Sequence, residues 1–313
     1  MRIGFLGGAA DAFAQNRRIV KEAGKIFVYL CGVLLFGGLL APPLFWGAQV
    51  LADAGVLVVL RKYPFQKFFN RGVLIAAVLL LWPLVRWLGL RGWRPPAFGT
   101  DRLWRGRLGA GFGLGAAAMV LLGAVLWGAG VYRFRGVPDA SVVASVAGSA
   151  VAVALLEEAL FRGALTGLLL RGMGQTGALW WTSGLFAVVH FLKPDPAVKV
   201  SEVGWFSGFA LVPHSFHQFA EPLLFLGGFG TLLTLGLVLG VALQRTGSLW
   251  MSIGFHAGLV LAKGVFLKGF GQVSELQPWA GPQLQVGLAP VCVLLLGGCG
   301  VWWLTRSAVV SAG

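Results

Sequence analysis

The chain has 313 residues, of which 57% are hydrophobic and only 12% are Asp, Glu, Lys or Arg. A soluble domain carries about 25% charged residues, so this composition cannot cover a water-facing surface, and disordered, collagen-like, disulfide-scaffold and cytosolic enzyme classes are excluded. Twenty-five basic against 11 acidic residues give a net charge of +14, but the basic residues sit between apolar runs rather than in a stripe, which directs the excess at lipid headgroups and away from nucleic acid.

In chain order, residues 1–25 are polar or mixed, include Arg17, Arg18, Lys21 and Lys25, and read as a cytoplasmic or interfacial segment. No small-residue cleavage site follows, so the first apolar run reads as a retained helix. Helices are predicted near 26–51, 70–90, 109–131, 141–169, 177–193, 222–243, 247–266 and 283–304. Most approach the ~20 residues that span a bilayer. They are continuously apolar rather than alternating, which excludes a transmembrane barrel. The first helix contains Pro42-Pro43, where a kink is expected, and Asp53 reads as its end. Residues 194–221, punctuated by Pro194, Pro196 and Pro213, read as a loop with an interfacial or re-entrant piece. Within that loop His214 and His217 lie among aromatic residues and read as an interfacial anchor.

The fold class is therefore all-α: a polytopic transmembrane bundle of about eight helices with a polar cavity open to the cytoplasm. It divides into the 1–25 segment, N-terminal membrane helices over 26–140, a core over 141–265, and a last loop and helix over 266–313. The distribution of Lys and Arg favours cytoplasmic placement of both termini, its strongest element being Arg86, Arg91, Arg94, Arg102, Arg105 and Arg107. Gly111 with Gly115, and Gly236 with Gly240, have the spacing that lets helix backbones approach closely. Cys31, Cys292 and Cys299 are odd in number, lie in apolar stretches, and read as packing or membrane-facing residues.

Ionisable groups inside a membrane helix cost roughly 2.5–3.5 kcal/mol each and demand partners or a wet cavity. Glu157 and Glu158, in the run ending at Arg162, are thus the most informative residues. Adjacent positions differ by ~100° around a helix, so the two carboxylates point differently. Glu158 stands four residues before Arg162, the favourable acid-first spacing for an ion pair, and Glu157 is the freer carboxylate, available as a base. Around the turn from Arg171 to Gly177, Glu158 and His190 each lie ~20 Å along antiparallel helices, and His256 lies ~14 Å into a helix starting from the same side. One carboxylate and two imidazoles at similar depth support two chemistries: glutamate-activated water with histidine assistance, or zinc held by Glu157, His190 and His256 with an open position. Both hydrolyse a peptide or amide bond. The bland alternative is a structural ion-pair cluster.

The motifs Glu157-Glu158-x-x-x-Arg162, Phe186-x-x-x-His190 and Gly247-Ser248-Leu249 leading to His256, in this order on successive helices, resemble the CAAX-protease and bacteriocin-processing family of intramembrane proteases, the type II CAAX prenyl endopeptidases. The resemblance covers residues 141–265. It implies a glutamate-dependent, or metal-dependent, integral membrane protease of a bacterial inner membrane acting on membrane-bound or lipidated peptides. By the match Glu157 activates water, His190 holds it, Glu158 pairs with Arg162, His256 assists the substrate carbonyl, and Phe186 fixes the His190 rotamer. The family's Asn or Asp four residues after the last histidine is Val260 here, a departure that raises a second possibility, a catalytically impaired scaffold or bacteriocin-immunity protein. Ser252, one turn before His256, is a candidate replacement hydroxyl.

Overall fold

The computed structural model describes residues 4–87, 102–170 and 172–310, and side chains over 24–87, 102–170 and 172–306. Arg91, Arg94 and the turn residue Arg171 lie outside them. Among the described residues seven helices are long and apolar enough to cross a membrane, and large apolar side chains such as Val120 and Leu295 face outward from them. This is the composition of an integral membrane protein. Exposed tryptophans, among them Trp87, Trp104 and Trp127, stand at or near helix ends, the usual level of an aromatic belt.

One compact unit comprises the described part of Met1–Gly92 with Phe191–Glu221. It holds α1 (Gly4–Asp53), α2 (Phe65–Trp87) and α7 (Ser207–His214). Helix α1 corrects one sequence expectation, for it starts near residue 4 rather than 26, and it runs through Pro42 and Pro43 as the predicted 26–51 span does. Asp53 does end it, and pairs with Arg61 from the following 3₁₀ turn Val58–Lys62. The 194–221 loop also proves more ordered than its prolines suggest. Leu211 of α7 is buried with Ala41, Phe65 and Phe69, and Gly208 lies against the Gly38 backbone of α1. The His217 ring N–H donates to the His214 carbonyl at 3.1 Å, which ties one imidazole to backbone.

The other unit comprises the described part of Trp93–His190 with Pro222–Gly313. It contains α3 (Trp104–Gly128), α4 (Ala140–Glu158), a π-helical turn (Ala159–Leu165), α5 (Thr166–Leu169), α6 (Gln175–Val189), α8 (Pro222–Thr246), α9 (Trp250–Gly269) and α10 (Leu288–Val310). The helix expected at 177–193 is only 15 residues long, too short to count among the seven. Two short strands absent from the sequence reading, β1 (Tyr132–Phe134) and β2 (Phe270–Gln272), pair antiparallel and close the ends of α3 and α9.

Both predicted glycine pairs are used in helix packing. A methyl on Gly111 would lie 2.2 Å from the Met251 carbonyl oxygen, and one on Gly115 2.0 Å from that of Phe255. Gly254 and Gly258 meet the Leu108 and Phe112 carbonyls of α3 as closely. Helices α3 and α9 therefore touch backbone to backbone, the contact that small residues four apart permit in membranes. Gly236 makes room for the side chain and backbone of Ser183 of α6, and Gly240 for the Leu179 side chain. Gly247 ends α8 at φ 63°, its N–H on the Leu243 carbonyl, the left-handed cap that glycine adopts without strain. That turn starts α9 three residues later and so sets where His256 falls.

Candidate active site

Four segments of the second unit supply the polar cluster. The end of α4 gives Glu157 and Glu158, the π-helical turn gives Arg162, the end of α6 gives Phe186 and His190, and α9 gives His256. A π-helical turn is rare and recurs at functional sites. Here it follows Glu158 directly.

Its buried layer is an ion pair. Arg162 donates to Glu158 Oε1 at 3.1 Å and, through its other terminal nitrogen, to the Gly236 carbonyl of α8 at 3.1 Å. The two side chains are 1% and 0% exposed. Such burial costs several kcal/mol per ion and is tolerated only with pairing and good hydrogen bonds. Glu158 Oε1 also accepts the His256 Nδ1–H at 2.9 Å. One carboxylate oxygen thus joins the guanidinium to an imidazole and sets the orientation of that ring. The aromatic wall is Phe186, fully buried, with the Arg162 guanidinium 4.4 Å from its ring centroid and the His190 ring centroid also at 4.4 Å. Phe161 meets it edge-on at 5.1 Å.

The accessible layer is Glu157 and His190, whose side chains are 20% and 19% exposed. His190 Nδ1–H donates to the Phe186 carbonyl at 2.7 Å. Both histidines therefore have Nδ1 committed to an acceptor, and in the neutral ring that leaves Nε2 as the lone-pair nitrogen. Both Nε2 atoms turn to the same oxygen, Glu157 Oε2, at 3.5 Å from His190 and 3.9 Å from His256. Glu157 Oε2 and Glu158 Oε2 are buried oxygens without a hydrogen-bond partner among the described residues. The arrangement collects three proton-accepting atoms at one point, which suits a water that can donate two protons.

Glu157, Glu158, Arg162, Phe186, His190 and His256 are thus brought together. Ser252 is not at the reacting point: its hydroxyl donates to the Leu239 carbonyl at 2.8 Å and ties α9 to α8. Val260 is half-buried one turn beyond His256. His214 and His217 belong to the other unit.

The metalloprotease reading is not supported, because among the described residues no group of three or more His, Cys, Asp or Glu is placed to hold a metal ion. Zinc binds such atoms at ~2.0–2.1 Å, which puts tetrahedral ligands about 3.4 Å apart; the 3.9 Å between His256 Nε2 and Glu157 Oε2 is wider.

Sequence reasoning missed the Gly236 carbonyl, which carries no side-chain signal, and a buried hydroxyl pair, Thr166 with Thr182, 3.2 Å apart below the cluster. That pair continues the four-residue series 158, 162, 166 and 182, 186, 190, a repeat visible in the sequence once α4 and α6 are set antiparallel.

Residues 138–262 match the family model of the type II CAAX prenyl endopeptidase Rce1-like proteins, a stretch that contains every side chain of the cluster. This is the family that the three motifs resemble. No curated protein and no solved structure matches the chain.

Proposed function

We propose, from a 138–262 segment of the type II CAAX prenyl endopeptidase kind, that this protein is an intramembrane endopeptidase that hydrolyses membrane-bound or lipidated peptides with Glu157 as general base. The observation that carries the reading is the convergence of His190 Nε2 and His256 Nε2 on the unpartnered oxygen of Glu157. A water between Glu157 Oε2 and His190 Nε2 donates one hydrogen bond to each. Glu157 takes a proton as the water oxygen attacks the scissile carbonyl, and returns it to the amine as the C–N bond breaks. The products are a carboxylate and an amine, with no other reagent consumed. His256, with Glu158 on its Nδ1, is the group placed to donate from Nε2 to the developing oxyanion when its ring carries a proton. Glu158 then balances that charge as a buried aspartate does behind a catalytic histidine. The partial exposure of Glu157 and His190 gives the substrate its side of approach. The basic distribution in the sequence favours an orientation with both termini cytoplasmic, and the bacterial inner membrane is what the family resemblance implies.

The test is cleavage of a fluorogenic membrane peptide by purified protein. Glu157→Gln is expected to abolish turnover while leaving the melting temperature within a few degrees of wild type, because Glu157 Oε2 makes no hydrogen bond. Equal loss of folding and cleavage would return the cluster to a structural role.

A second reading, a scaffold or immunity protein that retains the site without turnover, is favoured by Val260, an apolar side chain one turn from His256. Removing one oxyanion donor costs about 10²–10³ in rate. Turnover by the wild-type protein in the same assay would discard it.

A further inference from the structure

The elements that carry the cluster, α4 through α5 on one side and α6 on the other, run antiparallel and meet in three successive contacts. Glu157 faces His190 at 3.5 Å, the Arg162 guanidinium lies 4.4 Å over the Phe186 ring, and the Thr166 hydroxyl is 3.2 Å from that of Thr182. The residue numbers of these contacts advance by four or five on one side as they fall by four on the other. They form one ladder, and the threonine pair is its rung nearest the 170–175 turn.

The first two rungs have roles in the proposed chemistry. The third touches nothing that reacts, yet its bonds reach both supports of the site. The one proton of Thr166 Oγ1 is shared between the Phe161 carbonyl, 2.8 Å away and five residues back, and Thr182 Oγ1 at 3.2 Å. A hydroxyl in an α-helix bonds the carbonyl three or four residues back, so the bond to Phe161 spans the wide turn that carries Arg162. Thr182 Oγ1 donates to the Ala178 carbonyl of α6 at 2.6 Å, which leaves its lone pairs facing Thr166. Both threonines are buried, at 6% and 3% exposure. A hydroxyl pair in this setting has a direction and a fixed separation that apolar packing lacks.

We propose that Thr166 and Thr182 are positioning residues: their hydroxyl pair clamps the π-helical turn to α6 and sets the register in which Glu157 meets His190. The pair acts through Arg162 and Phe186, which stand between it and the reacting atoms. The inference rests on the proposed peptidase reading for its rate arm, and on geometry alone for its spectroscopic arm. A misplacement of about 1 Å at reacting groups costs on the order of 10²-fold in rate, whereas an interhelical hydroxyl bond in a membrane contributes little stability, ~0.6 kcal/mol on average. Rate and stability therefore separate.

The experiment compares wild type, Thr166→Val, Thr182→Val, the double variant and Thr166→Ser, with kcat and KM for a fluorogenic membrane peptide, the melting temperature, and the ¹⁵N side-chain resonances of His190. Thr166→Val keeps the shape and removes the hydroxyl. It is expected to lower kcat by about 10- to 100-fold with KM within about twofold and to shift the His190 resonances. Thr166→Ser should restore both. Thr182→Val should act alike, and the double variant should be no worse than either single one. Valine variants that keep wild-type kcat and His190 resonances, or a serine variant as impaired as valine, would overturn the proposal. If Thr166→Val does not fold, Thr182→Val removes the same pair from α6 and decides the matter. If the wild-type protein does not cleave, the peptidase reading falls by itself, and unchanged His190 resonances in the valine variants would overturn the positioning role independently.

Discussion

Replacing Arg162 by Met removes the guanidinium paired with Glu158 and leaves that carboxylate the His256 Nδ1–H alone among the described side chains. The guanidinium is 1% exposed and Glu158 is fully buried, so water cannot solvate the carboxylate that remains. Breaking a buried pair by deleting one partner costs about 3–5 kcal/mol. The Gly236 carbonyl also loses its bond at 3.1 Å, and Phe186 loses the cation above its ring. About 4 kcal/mol is the expected loss. The second variant, Arg162→Met with Glu158→Leu, removes both charges and leaves the His256 Nδ1–H without its acceptor, a deficit of about 1–3 kcal/mol. The double variant should therefore be more stable than Arg162→Met, although it carries one more substitution. Arg61 with Asp53 is the internal control, the same chemistry with side chains 57% and 65% exposed; Arg61→Met should cost at most about 1 kcal/mol. Equilibrium unfolding in mixed micelles measures all three, together with Glu158→Leu alone. A loss below about 1 kcal/mol for Arg162→Met, or a double variant as weak as the sum of its two single ones, would refute a buried charge pair as the anchor of this site.

Gly115→Ala should destabilise by about 1–3 kcal/mol and impair cleavage, since the added methyl would lie 2.0 Å from the Phe255 carbonyl oxygen and must push α9, with His256, away from α3. Gly113→Ala, with nothing within 4 Å of the new methyl, should be neutral or slightly stabilising through helix propensity; equal effects from the two in a melting series would deny the backbone contact. Ser252→Ala should cost about 1 kcal/mol with the cleavage rate nearly intact, because its hydroxyl is spent on Leu239. A hundredfold fall in rate would instead make Ser252 an oxyanion donor.

What could be read in advance followed from the expense of burying charge. Two carboxylates and an arginine inside an apolar run stand out because each needs a partner, and the partner of Glu158 was set by helical spacing alone. The shared depth of the carboxylates and histidines was likewise legible, since antiparallel helices about a short turn return to the same level. What could not be read was the detail that depends on backbone. No residue type marks a π-helical turn, which shifts hydrogen bonds by one carbonyl without changing the apolar pattern. The start of α1 near residue 4 was hidden because counting apolar runs detects burial in lipid, whereas a helix needs only its own backbone bonds and favourable propensity. The 194–221 segment reads as a loop with an interfacial or re-entrant piece because its prolines are what the sequence displays, and the burial of Leu211 is not. The Gly236 carbonyl illustrates the general limit. Arg162 needs two acceptors in a dry site, the sequence names one of them, and the other is an amide whose position depends on how closely Ser183 lets α6 approach α8. The geometry of the charge cluster therefore depends on a glycine contact that itself bears no charge, and substitutions at Gly236 belong with those at the ionisable residues.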